Sequence, residues 1–493
     1  MHHRCALLIA CLGSLSLAGC SSPPLGPDPD DHPDASSDAT DEPDAPGMEA
    51  GDAGMDAAAE ASGEGGLEAG ADAESEDGAA DGSSPDTDCD RLATFETQLV
   101  AAADAAARLA LVDAFQASVF AAGGFPIRCG GKAMFLFRAP GGFGTPHVAG
   151  DFNGFVADAA PMTKVEGDAW RATLDVEPGA KRFKYKVTDG TQWVADPLAR
   201  RFGFDQYGEY SLVSGGVDAG HLERLPEYEG AGLKSRPVTV YLPPGYETSS
   251  SSYPVLYAHD GQNLFDPSAI WGSWKLDAAI EGQLAASSIQ PFVVIGIHNT
   301  VDRMDEYTHV EDRYDNQVVG GKADAYYELI TQTIMPDVAK RYRLMVGPAN
   351  TWTMGSSLGG LISLYFGMKH PDVFGRVAGL SSTCGWGSID AGMHNTTIIE
   401  LLPTLGKPAA VFYLDSGGAP GTGCEDSDSD GIEDDTMDSA DNYCESIQMR
   451  DAFEAAGYVY DQDLFHWWEP QAEHNEAAWA ARVFRPLQVL AKP

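Results

Sequence analysis

Trp352-Thr353-Met354-Gly355-Ser356-Ser357-Leu358-Gly359-Gly360-Leu361-Ile362-Ser363-Leu364-Tyr365-Phe366 is the stretch that decides the fold. A short apolar run enters a glycine-flanked pair of serines, and an apolar run of helical length leaves it. The spacing is G-x-S-x-G with Ser357 at its centre, in the order strand, sharp turn, helix. The glycines suit that order, because strand and helix approach the serine too closely for side chains. Ser356 stands before the central position and reads as structural. The pattern alone recurs by chance, so its weight comes from what surrounds it.

On either side, Val238-Thr239-Val240-Tyr241-Leu242, Val255-Leu256-Tyr257-Ala258, Phe292-Val293-Val294-Ile295-Gly296-Ile297 and Ala410-Val411-Phe412-Tyr413-Leu414 are apolar runs suited to central strands. Between them lie helical stretches such as Tyr326–Ile330 and Leu361–Phe366. The alternation predicts an α/β domain, with a mostly parallel sheet covered on both faces. A serine at the tip of such a turn becomes a nucleophile only with a base and an acid, in chain order Ser, Asp/Glu, His. Of the twelve histidines, His466 and His474 come late enough. His466 sits inside Leu464-Phe465-His466-Trp467-Trp468, a last strand, where a packed core histidine is expected. His474 follows in Glu473-His474-Asn475-Glu476-Ala477-Ala478-Trp479, at a loop-to-helix junction, and is the expected base.

Together these residues resemble the esterase family that includes enterochelin esterases, feruloyl and acetyl-xylan esterases, esterase D and mycolyltransferases. The resemblance covers roughly residues 225–491. It rests on Tyr257-Ala258-His259-Asp260-Gly261-Gln262-Asn263-Leu264-Phe265-Asp266, the Ser357 turn, Tyr413-Leu414-Asp415-Ser416-Gly417 and the His474 segment. It implies an α/β-hydrolase fold and a serine carboxylic-ester hydrolase acting through an acyl-enzyme without a catalytic cofactor. Catecholate-siderophore esters or acylated polysaccharides are the implied substrates. It also implies an oxyanion hole from the amides of Gln262 and Leu358. The family places its acid in the loop after the strand ending at Asp415. That loop is lengthened here from Gly417 to Asn442, and counting back from the next helix points to Asp441, with Asp415 as the rival.

The lengthened loop contains Asp426-Ser427-Asp428-Ser429-Asp430-Gly431-Ile432-Glu433-Asp434-Asp435. Alternate carboxylates with a glycine suit a hard cation with oxygen ligands, so Asp426, Asp428, Asp430 and Asp434 are expected to hold structural Ca2+. The loop resembles a thrombospondin-type-3 or EF-like calcium loop more than an EF-hand, because Met437 stands where the twelfth-position Glu would be. A solvated acidic loop is the plainer alternative.

The chain carries a formal net charge of −43 over 493 residues. Residues 21–88 hold 21 acidic side chains and no Lys or Arg, so about half of that excess sits in one stretch. With no basic cluster anywhere, nucleic acid and anionic membrane faces are poor partners. Arg4 and the apolar run Ala6–Leu17 read as a signal peptide over residues 1–19. It ends in Leu17-Ala18-Gly19-Cys20, which resembles a bacterial lipobox. That implies a lipidated Cys20 and an exported, membrane-anchored protein of the cell envelope. Residues 20–88 read as a disordered acidic linker, too poor in apolar side chains to offset their ordering entropy.

Cys89 and Cys129 bracket a helical segment (89–129), where Leu92, Phe95, Leu99 and then Leu109, Leu111, Val112, Phe115, Val119 and Phe120 recur at helical spacing and Gly123-Gly124 ends the pattern. Cys424 and Cys444 bracket the acidic loop, and these are the simplest pairings for an exported chain, leaving Cys384 free. Residues 130–215 show short alternating strands with Asn-Gly and Asp-Gly turns, the pattern of a β-sandwich. Gly150-Asp151-Phe152-Asn153-Gly154 and Tyr185-Lys186-Val187 through Trp193 to Asp196-Pro197 resemble early-set immunoglobulin-like modules, including glycogen-binding ones. Trp193 lies near a sugar-platform position of that family, whereas Phe155 replaces its second Trp, so a structural module is expected. The esterase domain is expected over 225–493. A non-catalytic glycan-binding lipoprotein, or an acyltransferase using the same triad, are the alternative functions.

Overall fold

The computed structural model describes residues 85–176, 182–389, 392–421, 423–434 and 440–493. The expected signal peptide, Cys20 and nearly all of the acidic linker lie outside the described residues. Helical structure begins at Pro85, within the last residues assigned to the linker. Proline's fixed φ suits a first helical turn, so the acidic composition does not delay the helix to Cys89. Helix Pro85–Ala101 is followed by helix Ala105–Ala122, capped by the Asp104 carboxylate on the Ala107 amide.

The strands that follow are β1 (Ile127–Cys129), β2 (Lys132–Arg138), β3 (His147–Gly150), β4 (Thr163–Glu166), β5 (Ala169–Asp175), β6 (Phe183–Thr188), β7 (Trp193–Val194), β8 (Arg201–Asp205) and β9 (Gly208–Ser214). One antiparallel sheet has the order β1-β2-β5-β4. Strand β2 explains its own sequence. Ala133, Phe135 and Phe137 face a core shared with Val148, Tyr185 and Val187, while Met134 and Leu136 face the two helices through Phe95, Phe115 and Val119. Both faces are covered, so the run is apolar without alternation. The disulfide Cys89–Cys129 ties the first helix to β1.

The remaining strands are β10 (His221–Gly230), β11 (Leu233–Leu242), β12 (Val255–His259), β13 (Val293–Ile297), β14 (Glu311–Tyr314), β15 (Gln317–Gly320), β16 (Thr351–Ser356), β17 (Arg376–Leu380), β18 (Val411–Ser416) and β19 (Leu464–Trp468). The order β19-β18-β17-β16-β12-β13 is parallel throughout, and β11 and β10 then pair antiparallel. This is an α/β-hydrolase-like fold with a mixed sheet. Its faces bury separate cores: Val293, Ile295 and Ile297 of β13 point one way, and Val294 points the other.

The same sheet continues from β10 into β8, β9, β6 and β3, with Leu222 opposite Phe202. One hydrogen-bonded sheet thus crosses the boundary that the sequence places between residues 215 and 225. Strand pairing leaves no compositional trace.

Candidate active site

Ser357 sits between β16 and the helix Leu358–Lys369 with φ 56° and ψ −125°. A non-glycine residue held there stores about 1–3 kcal/mol of backbone strain, which persists only where the surroundings over-determine it. They do so here. A Cβ on Gly355 would lie 2.5 Å from the Gly359 backbone, and one on Gly359 would lie 3.2 Å from the Asp260 carboxylate. The serine is therefore clamped between the helix start and the loop after β12.

That loop begins at Asp260, itself left-handed at φ 57°, and turns through Gly261–Asn263. Arg303 grips the Asp260 carboxylate with two bonds of 2.8 Å, and Asn299 Nδ2 donates a third of 2.6 Å. Burial works to raise the Asp260 carboxyl, but Arg303 and Asn299 outweigh it and hold it below the ordinary value. The Asn299 amide donates to the Gln262 side chain at 3.2 Å. Leu358 opens its helix, where the first amides lack intrahelical acceptors. Leu358 follows the serine directly, and Gln262 lies in the turn that begins at Asp260, whose carboxylate closes on Gly359.

The structure brings His474 to Asp441: Nδ1 donates to Oδ1 at 2.7 Å. A carboxylate only accepts, so this bond puts the proton on Nδ1 and leaves Nε2 as a base. The other oxygen, Oδ2, accepts from Ser381 Oγ at 2.8 Å, from Arg482 Nη2 at 3.2 Å and from the Gly417 amide. Asp441 is left-handed at φ 55° and its side chain is fully buried. The disulfide Cys424–Cys444 closes the long loop just beyond it.

Asp415, the rival, makes no bond to His474. Its carboxylate accepts from Tyr413 at 3.0 Å and from Arg482 at 3.1 Å, and burial pushes it up to about 6. Standing at a strand end, it is drawn into the sheet rather than out to the loops. His466, on β19, is neutral; burial pushes it down to about 4. Cys384 is buried and lies outside the two disulfides.

Three residues escaped the sequence reading. Ser381, Trp479 and Arg482 converge behind Asp441: Trp479 Nε1 and Arg482 Nη2 both donate to Ser381 Oγ, at 3.0 and 2.5 Å. The Trp479 ring also meets His474 edge-on at 5.0 Å. The signal available was the polar run Ser381-Ser382-Thr383 directly after an apolar strand. Arg482 carried none, because a lone arginine late in a helix reads as a surface residue. Likewise Glu476 accepts from Asn263 at 3.0 Å, tying the segment after His474 to the turn at Gln262.

Of the four carboxylates expected around a cation, Asp426, Asp428 and Asp430 have oxygens within 4.8 Å of one another. Asp434 is not in that group; it accepts from the amide of Ser427 at 3.1 Å and from its hydroxyl. The hairpin that turns Asp434 back onto Ser427 pairs Glu425 with Asp434, which spacing alone does not disclose. A cavity of about 660 Å³ lined by Arg200, Glu223, Glu247, Tyr342 and Arg343 holds none of these residues.

Residues 233–488, just over half of the chain, match the family described as "Putative esterase". The uncharacterized protein YbbA of Bacillus subtilis is 28% identical over 169 residues, 33% of this chain and 63% of that protein. The endo-1,4-beta-xylanase/feruloyl esterase of Xylanibacter ruminicola is 21% identical over 210 residues, 40% of this chain and 24% of that protein. The chain thus spans less than two thirds of either relative. An enterobactin esterase from Shigella flexneri is similar in structure over 73% of this chain and 93% of its own, with 16% identity and a TM-score of 0.41.

Proposed function

This chain belongs to that esterase family, and on that premise we propose that it is a serine carboxylic-ester hydrolase working through an acyl-enzyme. Ser357 is the nucleophile, His474 the general base and acid, and Asp441 the orienting carboxylate. The observation that carries the reading is the 2.7 Å bond from His474, after β19, to Asp441, in the loop after β18, in a sheet whose strand β16 runs into the strained Ser357.

Ser357 Oγ bonds to the ester carbonyl carbon while its proton passes to His474 Nε2. The carbonyl oxygen takes the negative charge and faces the Gln262 and Leu358 amides, which stabilise it in the transition state. Collapse breaks the ester bond, and the alcohol leaves with the proton from His474. Water then repeats the sequence on the acyl-enzyme, releasing the acid and restoring the serine. The test is hydrolysis of p-nitrophenyl acetate by the wild type and by Ser357→Ala. Equal rates would refute the reading.

The substrates proposed are acylated polysaccharides or siderophore esters. The feruloyl esterase named among the relatives supports the former. Residues 130–215 are read as an early-set immunoglobulin-like module with a structural role, since Trp193 is 40% exposed but lacks the second Trp of a platform. Purified protein assayed on feruloylated oligosaccharide, acetyl-xylan and ferric enterobactin separates the classes. No substrate cleaved faster than a simple aryl ester would refute both.

Export and lipidation at Cys20 follow from the lipobox-like end of the first segment, with the acidic stretch as a tether. Mass spectrometry of the mature N-terminus tests this, and an unmodified Cys20 would contradict it. Structural Ca2+ is proposed at Asp426, Asp428 and Asp430, whose spacing suits oxygen ligation. A melting temperature unmoved by Ca2+ after chelation would contradict that.

A further inference from the structure

Behind the His474–Asp441 pair, two buried carboxylates face one buried guanidinium. Arg482 and the carboxylates of Asp415 and Asp441 are each about 1% exposed or less. Arg482 donates from Nε to Asp415 and from Nη2 to Asp441 and Ser381. Its Nη1 has no hydrogen-bond partner among the described residues. Ser381 Oγ accepts from Trp479 and Arg482, which leaves its own proton to point at Asp441 Oδ2. Both donors stand on the helix Glu476–Arg482, whose entry carries His474.

The geometry points to Arg482 as a positioning residue for ester hydrolysis: acting with Ser381, it holds Oδ2 of Asp441 so that Oδ1 faces His474. The inference rests on the catalytic reading given above. Its physical basis is that Asp441 sits on a long loop in a left-handed conformation, and a carboxylate there is aimed only by what it bonds. Three donors on one oxygen remove its rotation and leave the other oxygen for the imidazole. Arg482 is also the buried cation that both carboxylates share. Asp415, raised by burial, is the one of the pair placed to take up a proton when that cation is removed. The other ionisable groups facing the cluster are Tyr413 on β18 and His474, with Arg485 acting on Tyr413 and Glu476 beside His474.

The experiment measures kcat, KM and the pH profile on p-nitrophenyl acetate for the full exported chain, with Ser357→Ala as control. R482Q is expected to lower kcat roughly 10²-fold with KM within about twofold. Its acidic limb of kcat/KM is expected to move to higher pH, because a cation beside two carboxylates has gone. R482K keeps the charge and is expected to recover about tenfold of the loss, with the limb back at the wild-type position. Where R482Q does not fold, D415N/R482Q removes one buried charge of each sign, and kcat about tenfold below D415N is expected. R482Q or D415N/R482Q with kcat within about threefold of its parent and an unmoved limb overturns the inference alone. Hydrolysis that survives Ser357→Ala overturns the catalytic reading and this inference with it.

Discussion

Replacing Asp441 by Asn is the perturbation whose outcome the geometry constrains most tightly. The carboxylate accepts from His474 on one oxygen and from Ser381, Gly417 and Arg482 on the other. An amide must turn its NH2 to one of these sides. Facing Ser381, Gly417 and Arg482, it would set donor against three donors, so it turns to His474. There it donates to Nδ1, which drives the imidazole proton onto Nε2, the atom that accepts from Ser357 in the proposed mechanism. The enzyme then folds with the wrong tautomer.

For such a swap the loss in kcat is about 10⁴-fold, or about 5.5 kcal/mol in the barrier. The fold loses one charge-assisted pairing with Arg482, about 1–3 kcal/mol, so assays belong well below the melting temperature. Asp415→Asn is the control, since Asp415 touches Arg482 and Tyr413 but not His474. It should keep kcat within about tenfold. Stopped assays on p-nitrophenyl acetate for both variants decide the matter. D441N active within tenfold of wild type, or D415N as damaged as D441N, would refute the reasoning.

Opening the Cys424–Cys444 bridge as the double serine variant removes a crosslink over 20 residues, worth about 3 kcal/mol in the chain-entropy account. Because Asp441 lies inside that closed loop, kcat should fall along with the melting temperature; an unchanged kcat in the folded variant would show that Asp441 is held without the bridge. Arg303→Ala leaves Asp260 without its cation and should destabilise by roughly 2–3 kcal/mol, below a fully buried pair because Arg303 keeps some water. The Asp260 carboxyl is lowered in the folded protein, so its contribution is present above the ordinary carboxylate range and fades as pH falls through the lowered value. Urea melts at pH 7 and at about pH 3 should therefore show a smaller penalty at the lower pH, and an equal penalty at both would contradict the ion-pair account.

What was legible in the sequence was whatever depends on local order. The strand–turn–helix run around Ser357 announces the fold and the sharp turn at that serine, because tight bends need glycine wherever they occur. His474 was legible from its junction between a strand and a capped helix, where Asn475 accepts from the Ala478 amide. Both disulfides follow from which segments their cysteines bracket. What stayed hidden depends on long-range contacts. The choice between Asp441 and Asp415 turns on where a 26-residue insertion (417–442) folds back, and Arg482 matters only because three separate segments meet at its guanidinium. The sheet continuing from β10 to β8 leaves no pattern either, since paired strands of two sheets read alike.

The central claim is that Ser357 carries an acyl group during turnover. Rapid quenching of the protein in acid during hydrolysis of p-nitrophenyl acetate, followed by peptide mass spectrometry, measures that directly. The account predicts an added acetyl mass on the peptide containing Ser357, present in D441N as well at a slower rate of appearance and absent in Ser357→Ala. Turnover with no adduct on that peptide, or with the adduct on another residue, would contradict it.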